Sequence, residues 1–392
     1  MFLGASIEGE KRDGGVAYVA YSDGYDGGFD RAADSYARYM EQPATALAAY
    51  YHYFRGHADA VVRAAGKEDE VVRLPGLPPL RALRDLPSFL AVTDDDDPFA
   101  CVLPEFRDLV DAIDHRGDGE SARSSSSPAT TYVLANTFDA MEPEALASLR
   151  PHVDVFTIGL VLSFLHDDAE ERSLPPPPPC DLFEHHDGEM CYLDWLDSKP
   201  ARSVVYISFG SSSVMSRKQV AEIADAMARI ERPFLWVLRK DNCKNQEDDA
   251  AIRKLVAAAG GDSLGGLVVE WCDQARVLSH PSVACFVTHC GWNSTLEAAS
   301  CGVPIVAAPQ YSDQGTSAWL VQERLGTGVR AAGDGGVMEA GDFVRCVATA
   351  TSEAVAARAA AWRERARAAV SDGGSSDRNL REFLKQIAAG GS

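Results

Sequence analysis

Between Trp271 and Gln314 the chain reads WCDQARVLSHPSVACFVTHCGWNSTLEAASCGVPIVAAPQYSDQ, which brings a His, a Gly, a Ser and a Glu to one seam between an apolar strand and a helix. ACFVTH (284–289) is expected as the strand, and the helix is expected to begin near Ser294. Gly291 permits the tight turn and a close approach of backbone to a ligand. The first N–H groups of a helix have no internal partner and lie at its positive end, so an anion with several oxygens, such as a diphosphate, is held there by backbone donors. Ser294 adds a hydroxyl and His289 an imidazole proton to the same anion. Ser294-x-x-Glu297 also fits a capping box, which requires no ligand, and both readings stand at this point.

The residues around this turn extend the same chemistry. Trp271 follows an apolar strand and presents an aromatic face on which a flat base can stack, worth about 0.5–1.5 kcal/mol beyond area burial. Glu297 lies one helical turn beyond Ser294 and can accept from two ribose hydroxyls. Asp313 and Gln314 follow another apolar strand and suit sugar hydroxyls, although Asp313 also reads as a helix N-cap. Phe209-Gly210-Ser211-Ser212-Ser213 is a second strand-to-helix turn with hydroxyls within reach of phosphate.

The elements that position these residues are clearest in the second half. VVYISFG (204–210), FLWVL (234–238), LVVE (267–270), ACFVTH (284–289) and VPIVAA (303–308) are continuous apolar runs, as expected for a parallel sheet covered on both faces. Helices alternate with them, one capped by Ser216 and running to Ile230, so the pattern predicts a doubly wound α/β sheet. Helices at 339–349, 353–371 and 375–389 end the chain. In the first half, 15–21, 131–137 and 153–159 read as strands, and 30–41, 44–65 and 104–114 as helices, with Gln42-Pro43 interrupting the first two. Ser124 to Ser127 and the acidic run from Asp94 to Asp97 read as loops. Five prolines (175–179) make an extended, semi-rigid linker, and His185-His186 within that stretch lacks the neighbouring ligands a metal site needs.

Composition narrows the function. The 392 residues are enough for two domains, and 46% hydrophobic residues allow a substantial core. A net charge of −21 argues against nucleic acid or an anionic membrane as partner, since both reward Lys and Arg. The nine cysteines are scattered without a CxxC pair, which suits reduced thiols and predicts neither a disulfide framework nor a metal centre. No run approaches the roughly 18 apolar residues of a membrane span, and the first residues do not form a signal peptide, so the expected location is the cytoplasm.

The stretch from Trp271 to Gln314 resembles the nucleotide-sugar signature of the plant family 1 UDP-glycosyltransferases, and YLDWLD (192–197), SVVYISFGS (203–211), FLWVLR (234–239) and VLANTFDAME (133–142) resemble further segments of that family. The resemblance implies an α/β GT-B fold of two Rossmann-like domains with parallel sheets. It divides the chain into an acceptor-side domain (1–165), a Pro-rich linker (166–190), a UDP-sugar-binding domain (191–374) and a C-terminal helix (375–392) packing back toward the first domain. It also implies a metal-independent, inverting transfer of glucose from UDP-glucose to a small acid or phenolic acceptor, with no separate cofactor, by a monomer. In that family Trp271 would stack on uracil and Gln274 and Glu297 would hold the ribose. His289, Asn293 and Ser294 would bind the diphosphate, with Ser211 adding a contact, and Asp313 and Gln314 would hold the sugar. Trp292 would pack beside the hexose, and Cys272 belongs to the same WCDQ segment. The family opens with a strand and a Gly-His loop carrying a general-base His, oriented by an Asp further on. Neither is found here, so the expectation is an incomplete N-terminal domain, no assignable catalytic His, and impaired transfer to alcohols and phenols. A carboxylic acid, already ionised at neutral pH, would be the acceptor least affected. The alternatives are a UDP-sugar-binding protein without catalysis, or an inactive gene fragment. A nicotinamide-dependent oxidoreductase is disfavoured because no G-x-G-x-x-G follows a first strand.

Overall fold

The computed structural model describes residues 36–92, 97–114, 131–161, 192–239 and 265–390, apart from positions 66, 68, 69, 98, 211, 212, 214, 335 and 336 and loop positions 93–96, with a short antiparallel hairpin pairing Lys11–Asp13 and Val16–Tyr18. The proline run and His185-His186, the Ser124–Ser127 loop, most of the acidic run and Ser211 lie outside the described residues.

The second half is built on a six-stranded parallel sheet. From edge to edge it runs Leu267–Val269, Phe234–Val237, Val204–Ser208, Val283–Thr288, Ile305–Ala307 and Gly328–Arg330. Numbered along the chain these strands lie in the order 3-2-1-4-5-6, the doubly wound arrangement, with the order reversing between Val204–Ser208 and Val283–Thr288. Both strands at this reversal are buried at every position. Successive side chains go to opposite faces, so Val205, Ile207, Cys285 and Val287 join the core under the helices Arg217–Ile230 and Ala340–Ala350. Val204, Tyr206 and Phe286 join the core on the other side, under Tyr192–Asp197 and Gln274–Leu278. Ser216 caps its helix as expected, accepting from the Gln219 N–H at 3.2 Å.

The first half carries a three-stranded parallel sheet in the order Tyr36–Met40, Thr131–Ala135, Asp154–Thr157. This corrects the helical reading of 30–41 over 36–40, while 30–35 lie outside the described residues. Tyr36 and Tyr39 favour a strand, and Pro43, at φ −55 and ψ 140, stands outside the helix Ala44–His52 as its N-cap. The decisive factor is tertiary, because Tyr36 to Met40 pairs in register with Thr131 to Ala135. The helical reading of 44–65 divides into Ala44–His52, a turn at Tyr53–His57 and Ala58–Ala65, with Gly56 at φ +100 interrupting it.

The halves are joined by a shared apolar cluster that includes Phe138, Leu160, Trp292, Leu296 and Trp362. The final helix, Ser375–Gly390, lies against the N-terminal sheet. Ser376 bonds to the Gly159 carbonyl, Asn379 donates to Thr157 Oγ1 at 2.7 Å, and Phe383 packs against Tyr132 and Phe156. No helix among the described residues is long and apolar enough to cross a membrane.

Candidate active site

In a doubly wound sheet, ligands bind beyond the carboxyl ends of the strands, where the strand order reverses. Here those ends are Phe209-Gly210 after one strand and His289-Cys290-Gly291 after its neighbour. The two turns press on one imidazole. A Cβ on Gly210 would lie 2.6 Å from His289 Cε1, and one on Gly291 would lie 2.5 Å from His289 Nε2. Gly210 also has φ +73, a conformation L side chains rarely adopt. Two glycines therefore hold the ring of His289 between them. Its burial pulls its pKa down to about 4, so the ring is neutral at pH 7 and can donate one N–H. Thr288 Oγ1 stands 3.3 Å from Nδ1. Arg239, just beyond the end of the Phe234–Val237 strand, donates to the Gly210 carbonyl at 2.8 Å and braces the first turn.

The helix after His289 runs Trp292–Cys301, starting two residues earlier than expected, with Gly291 as its N-cap. Ser294 is therefore inside the first turn, and the capping-box reading of Ser294 and Glu297 does not hold, since Gly291 offers no side chain to cap with. The Ser294 hydroxyl instead accepts from Gln274 Nε2 at 2.9 Å, and the same nitrogen donates to Glu297 Oε2 at 2.7 Å. Tyr206 approaches Gln274 Oε1 from below at 3.3 Å. Three residues that the sequence nominated separately, Gln274, Ser294 and Glu297, thus form one polar cluster beside the helix start. Burial raises the Glu297 pKa, partly offset by the bond from Gln274. Asn293 sits in the same first turn. Trp271, half-buried, lies between the outermost strand and the helix that opens with Gln274.

A second strand-to-helix junction repeats this construction. Ser312 has φ +61, as Cys290 does at the first junction, and each precedes a helix. Asp313 occupies the N-cap position of Gln314–Trp319, yet its side chain makes no capping bond. Asp313 Oδ2 is buried without a hydrogen-bond partner, and burial pushes the carboxyl pKa up to about 6, with the charge of Glu142 adding to the shift. Gln314 Oε1 accepts from the backbone N–H groups of Gln310 and Tyr311, at 2.8 and 3.2 Å. The N-terminal half fixes this turn through a reciprocal pair. Ser88 N–H donates to the Ser312 carbonyl at 2.9 Å, and Ser312 N–H donates to Ser88 Oγ at 2.7 Å.

Two nominated side chains face elsewhere. Trp292 is buried in the cluster joining the halves and donates its indole N–H to the Asn136 carbonyl at 2.8 Å. Its ring fills the apolar gap between the halves. Cys272 is buried with its thiol 3.4 Å from Tyr206 Oη, inside the sheet core. Sequence reasoning did not single out Gly210 as the clamp on His289, nor Arg239, Ser88 or Asn136 as supports. The Gly in the FGSSS turn was the one available signal; Arg239 and Ser88 act on backbone groups of distant turns and Asn136 through its own carbonyl, pairings that sequence does not expose. The remaining described histidines are engaged elsewhere. His52 Nε2 lies 2.6 Å from Ser148 Oγ with His57 beside its ring, His152 stacks on Tyr51, and His280 pairs with Asp197 at 3.0 Å.

The arrangement defines a GT-B-type α/β protein whose second half gathers a helix start, a neutral imidazole and a polar cluster at the point where the strand order reverses. The profile of the UDP-glucoronosyl and UDP-glucosyl transferase family matches residues 184–349. The chain is 40% identical over 356 residues to UDP-glycosyltransferase 75C1 of Solanum lycopersicum, covering 88% of this chain and 70% of the relative. It is 38% identical to phloretin 4'-O-glucosyltransferase of Malus domestica, covering 88% and 71%. The crystal structure of Os79 from O. sativa in complex with UDP superposes with a TM-score of 0.66 at 28% identity, covering 90% of this chain and 73% of that one. The chain belongs to the UDP-glycosyltransferase family, whose members use UDP-linked sugars as donors.

Proposed function

We propose that this protein transfers glucose from UDP-glucose to a small carboxylic acid or phenol with inversion at the anomeric carbon. Residues 191–374 hold the donor, 1–165 face the acceptor, and 375–392 tie the two. Trp271 stacks on uracil. Glu297 and Gln274 hold the ribose. The first-turn N–H groups of Trp292–Cys301, with Asn293, the Ser294 hydroxyl and the His289 N–H, hold the diphosphate, and Ser211 adds a contact. Asp313 and Gln314 take the glucose hydroxyls. The acceptor oxygen forms its bond to the anomeric carbon as the bond to the diphosphate oxygen breaks, and the charge released onto UDP meets donors already oriented toward it. A carboxylate acceptor brings no proton to this step, whereas a phenol must lose one to a base. The protein works as a cytoplasmic monomer in this reading.

The observation that carries the reading is the clamp of Gly210 and Gly291 on His289 at the point where the strand order reverses, beside the Gln274–Ser294–Glu297 cluster. The test is calorimetric titration with UDP-glucose followed by assay of labelled glucose transfer to benzoate and to a phenol. Micromolar binding with transfer to benzoate is expected. Absence of binding refutes the donor assignment, and binding without transfer to either acceptor refutes the acceptor assignment.

A further inference from the structure

On the flank of the helix Gln314–Trp319 a half-open cavity of about 330 Å³ lies between the two halves. Arg81 and Arg84 enter it from the N-terminal half and Arg330 from the C-terminal half. Two carboxylates line it, Asp85 and Glu323, and the ring of Trp319 forms part of an apolar wall. Three guanidinium groups thus face two carboxylates in a chain whose net charge is −21. Glu323 is exposed and already accepts from Gln322 Nε2 at 2.7 Å. Asp85 is left to answer the arginines. Its Oδ2 accepts from the Arg81 backbone N–H at 3.0 Å, and its Oδ1 lies 3.4 Å from Arg330 and 3.7 Å from Arg84.

The arginines are not fully answered. Arg84 Nε makes no hydrogen bond, its ion pair with Asp85 Oδ1 at 3.7 Å lying beyond hydrogen-bond reach. Arg330 is largely buried, its side chain 13% exposed, and its Nη1 donates to the Arg84 carbonyl at 2.6 Å. Burial, with the like charges of Arg84 and Arg81 beside it, pulls the Arg330 pKa down to about 10. A partly buried excess of positive charge is relieved by an anion, and paired guanidinium groups suit carboxylate or phosphate oxygens.

We propose that this cavity binds a small organic anion, a carboxylate or phosphate monoester on a flat apolar body, with Arg81 and Arg84 taking the anionic group and Trp319 the apolar body. The site spans the junction. Arg330 reaches Arg84 and Asp85 across it, and Thr316 Oγ1, two residues beyond Gln314, donates to the Asp85 carbonyl at 2.9 Å. An occupant therefore braces the helix whose first turn presents Asp313 and Gln314, and regulates donor handling from outside the donor crevice.

The test uses the full chain saturated with UDP, so that phosphate groups cannot report on the donor crevice; the heat of UDP binding, measured first, separates failure of the donor assignment from failure of this one. Phenyl phosphate, benzoate and neutral phenol are then titrated in turn. Saturable binding of phenyl phosphate or benzoate is expected, at least tenfold tighter than phenol, and the preference between the two identifies the anionic group. Arg84→Gln, whose side chain is 39% exposed, should weaken that binding at least tenfold and leave UDP affinity unchanged. No saturable binding by either anion, phenol binding as tightly as both, or undiminished binding in an Arg81→Gln/Arg84→Gln variant would overturn the proposal.

Discussion

The two halves reach a parallel sheet by different means. The C-terminal sheet has six strands, its two central ones buried throughout, and its reversal point coincides with the turns that hold His289. The N-terminal sheet has three, and its first strand, Tyr36–Met40, has Tyr39 44% exposed. Where a strand end leads directly into a helix start, as at 288–292, site geometry follows directly from topology. Where a segment becomes a strand only because a partner lies in register, its role is to support: the first half steadies the two strand-to-helix junctions of the second through Ser88, Asn136 and Asp85.

Glycine substitutions separate the halves most sharply. Gly210→Ala puts a methyl group into the His289 ring and strains a left-handed residue, and UDP affinity measured by calorimetry should fall at least 100-fold. Gly56→Ala in the first half is the control. Its φ is +100, but a Cβ there meets nothing within 4 Å, so it should cost only about 1–2 kcal/mol of stability and leave UDP affinity intact. Equal effects of the two on affinity would erase the distinction drawn between site and support. Next in size, Glu297→Ala removes a charged acceptor and should weaken both UDP and uridine by about 1.5–3 kcal/mol, roughly 10- to 150-fold. A loss confined to UDP would place Glu297 at the phosphate instead.

The pH dependence of stability draws on both halves. His52 and His289 are each buried with the folded pKa pulled down to about 4, below an unfolded value near 6.5. Between those values the unfolded chain binds the extra proton, so stability falls as pH drops from about 6.5 to 4, by up to about 1.4 kcal/mol per pH unit for each histidine. Asp313, raised to about 6, acts in the opposite direction: the folded state holds its proton first, so its contribution grows as pH falls below 6. Urea unfolding from pH 4.5 to 7 should show a shallower fall in His52→Gln and a steeper one in Asp313→Asn; an unchanged slope in both would contradict the burial argument. The smallest effect is expected from Trp271→Ala, about 0.5–1.5 kcal/mol in UDP affinity, with pyrophosphate binding unaltered.

Much of the donor half was legible because its physics is local. Apolar runs fixed the strands, and the glycine after ACFVTH fixed the turn that opens the helix. The helix start moved by two residues because Gly291, not Ser294, takes the N-cap. The burial of the Trp292 and Cys272 side chains was not legible, because an aromatic or a thiol in a binding motif reads the same whether it faces ligand or core. The strand at 36–40 was missed because its register with 131–135 is a contact across about ninety residues, which no window of sequence contains. The arginine cavity was invisible for the same reason, with Arg84 and Arg330 brought together only by the fold.

Hydrogen–deuterium exchange with and without UDP-glucose tests the central claim most directly, because the diphosphate should engage the amides at the start of Trp292–Cys301. Strong protection of a peptide containing residues 291–296, with weaker protection around Trp271 and Gln314 and none at 58–65, is the expected result. Unchanged exchange at 291–296 under saturating UDP-glucose would contradict it.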